Sequence, residues 1–206
     1  MPWSAGAAVS HQSSLKAEVR ARALARRSAM PAAERAEAAL RITQRLLAQA
    51  DYHRAQTILV YATMRGEVDT AAICGHALAA GKTLAYPLVD WTDGTLHPVR
   101  LVNPARLTPG RWQLPEPPPE QREPVSLESI DLVLVPGVAF DLGGGRMGYG
   151  KGMFDRLLKA LPAATLRWGL AYDLQVFDEL PLEAHDQRVG AVLTESRLIV
   201  PGQACG

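Results

Sequence analysis

The sequence lacks most of the features that mark secreted, zinc-binding or nucleic-acid-binding proteins. It has only two cysteines, Cys74 and Cys205, and their spacing fits neither a disulfide framework nor a zinc or redox motif. The 22 Lys and Arg residues nearly balance the 21 Asp and Glu residues, so the net charge of +1 leaves no electrostatic footprint for nucleic acid or an anionic membrane. These absences favour a reducing cytoplasm and predict that any bound anion is small.

Long apolar segments are missing as well. No run approaches the roughly 18 apolar residues of a membrane span, and residues 1–14 lack the basic start and apolar core of a signal peptide. We therefore expect a flexible tail over residues 1–14 and a single α/β domain over residues 15–206. The protein is expected to be a cytoplasmic monomer without a membrane or nucleic-acid partner.

The N-terminal third predicts two helices and then a strand–helix–strand unit. Apolar residues recur at helical spacing over residues 15–27, and a second helix is expected from Pro31 to about Ala50. A strand at Thr57–Tyr61, a helix at Thr70–Ala80 and a strand at Thr83–Pro87 follow. Such a unit implies parallel strand pairing with a right-handed crossover.

The rest of the chain repeats the alternation of strands and helices. A segment rich in Pro and Gly over residues 88–124 predicts a hairpin or edge elements. Strands are then expected at residues 132–135 and 166–172, on either side of a helix at about 152–160, with a last strand or pair near 191–200. The pattern predicts a three-layer α/β/α sandwich with a mostly parallel, Rossmann-like sheet and ligands at the carboxyl ends of the strands.

A glycine-rich segment separates the strand at residues 132–135 from the following helix. Six glycines lie between Gly143 and Gly152, interleaved with Arg146, Tyr149 and Lys151. Glycines let backbone N–H groups turn toward an anion, and a helix N-terminus adds partial positive charge. The segment therefore predicts a phosphate-binding loop, with a flexible loop that binds no ligand as the alternative.

Two known phosphate motifs match this segment only in part. Gly145-x-x-x-x-Gly150-Lys151 begins like a Walker A loop, but Gly152 stands where Ser or Thr would hold Mg²⁺. Gly143-x-Gly145-x-x-Gly148 satisfies the dinucleotide fingerprint, yet no acidic residue follows at the expected distance. A standard P-loop is thus disfavoured, and the dinucleotide pattern alone is weak.

Several charged residues lie where they can serve a phosphate site. Lys16 and Arg20 are four residues apart, so both cations lie on one helix face and can grip a polyphosphate, although a solvated basic face is the alternative. Asp155 suits a Mg²⁺ ligand, or it stabilises the start of its helix through the macrodipole. Asp186 offers a second carboxylate or is a loop residue.

Glu67 lies between a predicted strand and a predicted helix. Asp69 is placed to cap that helix, which leaves Glu67 for a polar ligand, with a surface loop acid as the alternative. The five histidines show no ligand spacing, and no nucleophile elbow is present, so metal hydrolysis and acyl-enzyme chemistry find no support.

Taken together, these residues match a known family over residues 15–200. The chain resembles the 5-formyltetrahydrofolate cyclo-ligases, also called 5,10-methenyltetrahydrofolate synthetases. Four separated motifs in the same order carry the resemblance: Lys16-x-x-x-Arg20, the Tyr61–Thr70 segment with Glu67, the block Pro136–Arg156, and the ending that runs from Gly169 through His185-Asp186 to Glu195.

The resemblance implies ATP- and Mg²⁺-dependent cyclisation of 5-formyltetrahydrofolate to 5,10-methenyltetrahydrofolate, with release of ADP and phosphate. It implies catalytic roles for Arg146 and Lys151, and Mg²⁺ binding by Asp155 and Asp186. The substrate would contact Ala62, Met64, Glu67 and Tyr149. ATP would contact Lys16, Arg20, Gly145, Arg146, Met147, Gly148, Tyr149, Gly150, Lys151, Gly152, Met153 and Phe154.

Two positions depart from the family pattern. Met153-Phe154 replaces a tyrosine pair that usually precedes the metal-binding aspartate, and Gly190 stands where many members have an acid. Tyr61 and Tyr149 are expected either to line the ligand pocket or to pack in the core. The alternatives in function are a paralogue that binds nucleotide without the folate reaction, a sugar-phosphate isomerase or CoA transferase of related fold, and a pure binding module.

Overall fold

The computed structural model describes residues 5–203, without the side chains of residues 5–11 and Trp112. Cys205 and the first four residues lie outside this range. The helices are α1 (Ala5–Ala29), α2 (Ala32–Leu47), α3 (Ala50–Arg54), α4 (Ala71–Ala79) and α5 (Met153–Ala160). Helix α1 begins ten positions before the predicted Leu15, so the part of the expected tail from Ala5 to Ser14 is helical.

The strands form one large sheet and two small ones. The large sheet contains β1 (Thr57–Leu59), β2 (Thr83–Val89), β3 (Leu96–Arg100), β6 (Leu132–Val135), β9 (Leu166–Leu170), β11 (Ala191–Leu193) and β12 (Leu198–Ile199). A second sheet contains β7 (Ala139–Asp141), β8 (Arg146–Met147) and β10 (Val176–Phe177), and a third pairs β4 (Thr108–Pro109) with β5 (Pro115–Glu116).

The large sheet has the order β12-β11-β9-β6-β1-β2-β3. The strands from β11 to β2 are parallel, and β12 and β3 are antiparallel strands at the two edges. Numbered by their order in the chain, the parallel strands follow the 2-1-3-4-5 arrangement of doubly wound folds. The mostly parallel, Rossmann-like sheet is therefore confirmed.

Apolar residues of the parallel strands alternate between two cores. Leu132 and Leu134 face the core built with α2, α3 and α4, whereas Val133 and Val135 face the core built with α5. Both faces of the sheet are thus covered, which gives the predicted three layers. On the α5 side, the small sheet of β7, β8 and β10 completes the outer layer.

Helix α1 packs on this small sheet rather than on the large one. Ala23 of α1 is fully buried in a third apolar cluster with Val138, Ala139 and Met147. The sequence did not predict β7 and β8, which turn the first half of the glycine segment into an antiparallel hairpin. No helix within residues 5–203 is both long and apolar enough to span a membrane.

The ring of Phe140 joins the small sheet to the large one through two glycines. An added Cβ would lie 2.5 Å from the ring at Gly137 and 2.4 Å from it at Gly169, both far inside van der Waals contact. The ring itself is fully buried. The absence of side chains at these two positions is what allows β7 to approach β9 so closely.

This packing predicts that Gly169→Ala destabilises the fold by about 1–3 kcal/mol, because overpacking displaces a buried ring. Gly190→Ala is the matched control, since its Cβ would meet only Arg167 O at 3.6 Å. Denaturant unfolding measures both variants. Adding Phe140→Leu to Gly169→Ala should recover part of the lost stability, because a smaller side chain then faces the new methyl group. Equal stability of the two glycine variants would contradict the packing argument.

Candidate active site

A cavity of about 750 Å³ opens at the carboxyl ends of β1 and β6. These strands are neighbours at the point where the strand order reverses, and adjacent loops leave such a point toward opposite faces of the sheet. Tyr61 and Ala62, which follow β1, and Pro136 and Gly137, which follow β6, line its floor. The cavity therefore occupies the ligand-binding position of doubly wound folds.

Nearly every predicted site residue lines this one cavity. Those present are Lys16, Arg20, Ala62, Met64, Glu67, Arg146, Met147, Gly148, Tyr149, Gly150, Lys151, Gly152, Met153, Phe154, Asp155 and Asp186. Gly145 is the exception. It is buried in the turn between β7 and β8, and its N–H donates to Asp141 Oδ1 at 2.6 Å, so this N–H is not available to a phosphate in the cavity.

The glycine segment divides into two parts. Gly143–Gly145 form the hairpin turn, whereas Gly148–Gly152 run along the cavity into α5. Gly150 and Gly152 have φ of +89° and +64°, a backbone conformation that side chains with a Cβ rarely adopt. Because the Gly143-x-Gly145 part lies in a hairpin and not between a strand and a helix, it does not form a dinucleotide fingerprint.

Arg146 and Asp155 form an ion pair at the cavity wall. Arg146 Nη2 donates to Asp155 Oδ1 at 2.7 Å, and the backbone N–H of Gln187 donates to the same oxygen at 3.1 Å. The Arg146 side chain is almost fully buried, and its Nε has no partner among the described residues. A buried, incompletely paired guanidinium at a cavity is well suited to bind an anionic ligand.

Lys16 links α1 to the C-terminal part of the chain. Its Nζ lies 2.6 Å from both Glu183 Oε2 and Asp186 Oδ2. Burial opposes the charge on Lys16, but the hydrogen bonds to these carboxylates leave its pKa above the ordinary value. The pKa of Asp186 stays below its ordinary value despite burial, because the Glu183 N–H and Lys16 both donate to it.

Arg20 contacts the glycine segment directly. Its Nε donates to the Gly148 carbonyl oxygen at 2.9 Å, and the side chain lines the cavity one helical turn from Lys16. The predicted single face of α1 that carries both cations is therefore confirmed. Neither residue belongs to a solvated basic face, because both side chains are partly buried.

The two predicted metal ligands, Asp155 and Asp186, line the same cavity but have different neighbours. Among residues 5–203, Glu183, His185 and Asp186 form a group whose ligand atoms lie within 4.8 Å of one another. Asp155 is not part of that group and is engaged with Arg146 instead. Glu183 is therefore a further carboxylate beside Asp186, and Mg²⁺ binding by Asp155 stays a prediction.

Glu67 lies in a tight loop after β1. Its Oε2 accepts a hydrogen bond from the Met64 N–H at 3.2 Å. The two residues between Met64 and Glu67, Arg65 and Gly66, both have positive φ. Burial raises the pKa of Glu67 to about 7, although the Met64 N–H, Arg27 and Arg65 all act to lower it. Glu67 is thus a carboxyl group that changes protonation near neutral pH.

Two arginines missed by the sequence analysis surround Tyr149. Arg27 is buried and donates from Nη2 to Tyr149 Oη at 2.6 Å, while the guanidinium carbon of Arg65 lies 5.4 Å from the centre of the Tyr149 ring. Arg27 lies on the same helix as Lys16 and Arg20, but the sequence alone assigned it no role. A usable signal was its spacing from Arg20, since seven residues make almost two full helical turns.

The structure also locates the departures from the family pattern. Phe154 lines the cavity with its ring centre 5.9 Å from the guanidinium carbon of Arg146, so an aromatic contact remains where a hydroxyl is missing. Gly190 is exposed, and it is not among the residues of the cavity wall. Tyr61 both lines the cavity and packs in the core.

Comparison with known proteins agrees with this geometry. The mouse 5-formyltetrahydrofolate cyclo-ligase is 30% identical over 88% of this chain and 94% of its own length. The cyclo-ligase of Escherichia coli K12 is 29% identical over 84% of this chain and 96% of its own. The solution structure of Aquifex aeolicus 5,10-methenyltetrahydrofolate synthetase superposes with a TM-score of 0.80 at 33% identity, covering 93% of this chain and 95% of that one.

A family model gives the same assignment over most of the chain. The model of the 5-formyltetrahydrofolate cyclo-ligase family matches residues 12–195, a range that includes every predicted site residue. The chain therefore belongs to the 5-formyltetrahydrofolate cyclo-ligase family of enzymes.

Proposed function

We propose that this protein catalyses the ATP-dependent cyclisation of 5-formyltetrahydrofolate to 5,10-methenyltetrahydrofolate. The observation that carries the proposal is one cavity that joins an anion-binding end, built by α1 and the 146–152 segment, to a folate-binding end around Glu67. The names of its relatives supply the substrate and the product.

The nucleotide end is formed by cations and glycine backbone. Two cations, Lys16 and Arg20, reach the cavity from α1, and Arg146 and Lys151 reach it from the 146–152 segment. We assign ATP to this end because a triphosphate needs several positive groups in a preorganised arrangement. Arg146 and Lys151 are the proposed catalytic cations, since they lie nearest the start of α5.

The carboxylates near Lys16 suit Mg²⁺. Glu183 and Asp186 offer the hard oxygen atoms that this ion prefers, and their ligand atoms lie close together. We propose that Asp155 and Asp186 hold the ion with Glu183 beside them, and that Asp155 also orients Arg146. When bound, Mg²⁺ would neutralise phosphate charge during phosphoryl transfer. Lys16 lies close enough to exchange its carboxylate partners for a phosphate.

The folate end is formed by Ala62, Met64, Glu67 and Tyr149. A carboxyl group with a pKa about 7 can accept hydrogen bonds when ionised and donate one when protonated, so it suits the polar edge of a pterin. The Tyr149 ring, 38% exposed, offers an aromatic surface between the two ends of the cavity. This placement would bring the formyl group toward the γ-phosphate.

The proposed chemistry has two steps. The N5-formyl oxygen attacks the γ-phosphorus of ATP, and ADP leaves, to give an imidate-like phosphate. N10 then attacks the activated formyl carbon and gives up its proton to the departing phosphate, which carries away the formyl oxygen as the ring closes. No covalent enzyme intermediate is needed, so the protein contributes alignment and charge neutralisation.

The decisive experiment incubates the purified protein with MgATP and 5-formyltetrahydrofolate. We expect the near-ultraviolet absorbance of the methenyl product to rise together with the amount of ADP. Omitting ATP is the control and should abolish the signal. ATP binding without product would instead support a paralogue that has kept the nucleotide site and lost the folate reaction.

We predict that Lys151→Ala and Asp155→Ala each lower kcat/KM for ATP by at least about tenfold. The first removes a proposed catalytic cation, and the second leaves the buried Arg146 without its ion-pair partner. Lys159→Ala is the matched control, because Lys159 is exposed in the last turn of the same helix. Unchanged rates in both site variants would show that the nucleotide has been assigned to the wrong end of the cavity.

The raised pKa of Glu67 predicts a pH-dependent stability difference. The pKa of Glu67 is roughly 4.3 in the unfolded chain and about 7 in the folded protein. In the pH range between these two values, the folded protein binds the Glu67 proton more tightly than the unfolded chain does. This contribution to stability is therefore lost as the pH rises through that window. We compare the Tm of Glu67→Gln with that of wild type at each pH. The variant's advantage in Tm should be larger at pH 8 than at pH 5, by at least about 2 °C.

Thermal unfolding at the two pH values checks this prediction. Glu120→Gln, at an exposed position, is the control and should show the same difference from wild type at both pH values. A Glu67→Gln difference that does not change with pH would mean that Glu67 is ionised throughout this range.

A further inference from the structure

Arg27 is a buried cation without a carboxylate partner. Its side chain is 2% exposed, and none of the ion pairs formed within residues 5–203 includes it. Both of its hydrogen-bond acceptors are neutral, namely Tyr149 Oη at 2.6 Å and the Gly137 carbonyl oxygen at 3.4 Å. Glu67 is near enough for the charge of Arg27 to lower its pKa, but the two side chains form no direct ion pair. Because burying a charge without such a contact is unfavourable, the position of Arg27 needs an explanation other than helix packing.

The two acceptors belong to different walls of the cavity. Gly137 follows β6 at the cavity floor, and Tyr149 lies on the glycine segment that we assign to the nucleotide. The guanidinium carbon of Arg27 is 6.0 Å from the Tyr149 ring centre, and that of Arg65, two residues from Glu67, is 5.4 Å from it. Arg27 therefore holds Tyr149 at the place where the proposed nucleotide end of the cavity meets the proposed folate end.

Arg27 belongs to the same face of α1 as the two predicted cations. Residues 16 and 27 are separated by eleven positions, or about 1,100° at 100° per residue, which is within roughly 20° of three full turns. Lys16 contacts the C-terminal carboxylates, Arg20 contacts Gly148, and Arg27 contacts Tyr149. Each cation of this face thus fixes a different part of the cavity wall.

We propose that Arg27 is a positioning residue for the folate substrate: it holds the Tyr149 side chain against the carboxyl end of β6, beside the Glu67 loop. The inference rests on the proposed function and adds to it a residue that does not itself line the cavity. Tyr149 without this hydrogen bond can turn away from the folate end, whereas Lys16, Arg20, Arg146 and Lys151 still surround the nucleotide end.

The test compares Arg27→Met, Arg27→Lys and Tyr149→Phe by steady-state kinetics. We expect Arg27→Met and Tyr149→Phe each to raise KM for 5-formyltetrahydrofolate by about tenfold, because each removes the same charge-assisted hydrogen bond. KM for ATP should change by less than about twofold. The double variant should be no worse than either single one, and Arg27→Lys should recover part of the loss.

Arg26→Met is the matched control. Arg26 is exposed on the same helix, donates to the Leu174 carbonyl oxygen at 3.5 Å and contacts the Phe177 ring away from the cavity. It should leave both KM values unchanged. An unchanged KM for 5-formyltetrahydrofolate in Arg27→Met and Tyr149→Phe would overturn the proposal, whatever the effect on kcat or Tm.

Two further measurements keep the test decisive. Should Arg27→Met fail to fold, Tyr149→Phe and Arg27→Lys still test the proposal. Tyr149→Phe removes only the hydroxyl group, and Arg27→Lys keeps the charge but changes the geometry of the donor. Should the wild type show no turnover, the proposed function fails. Equilibrium binding of 5-formyltetrahydrofolate, measured by isothermal titration calorimetry, then takes the place of KM. Equal affinity of Arg27→Met and Arg26→Met would then overturn the inference.

Discussion

The cavity depends on the reversal of strand order between β1 and β6. From β1 the chain proceeds through α4 to β2 on one side, and it later resumes with β6 on the other side of β1. The apolar residues of α4 and α5 pack on opposite faces of the sheet, so the loops after β1 and β6 leave in opposite directions. A crevice must then remain at the carboxyl ends of these strands.

Helix α1 supplies cations to this crevice. It packs on the small sheet next to the crevice and directs cations along one face toward the glycine segment and the C-terminal carboxylates. The proposed nucleotide end combines cations with carboxylates, whereas the buried Glu67 carboxyl group lies at the other end. A ligand pair with a polyphosphate on one side and a pterin on the other fits that asymmetry.

The elements with strong local patterns were predicted close to their observed limits. The strand Leu132–Val135 and the predicted helix at residues 152–160 agree with the structure to within one residue, because an apolar run and a helical period are both visible in the sequence. The hairpin of β7 and β8 was missed, since two glycine-flanked strands of two or three residues carry no periodicity. Gly145, which the resemblance assigns to ATP, lies in the turn of this hairpin and not in the cavity lining.

The doubly wound architecture and the common face of Lys16 and Arg20 could be predicted from the sequence, because helical and strand periods act over a few residues. The candidate site residues could be named from the glycine segment and the family resemblance. Which charges meet could not be predicted in this way. Lys16 pairs with Asp186, Arg146 takes Asp155, and Arg27 is buried against Tyr149. Such partners are far apart in the chain, and the packing of α1 and α5 against the sheets, not any local pattern, brings them together.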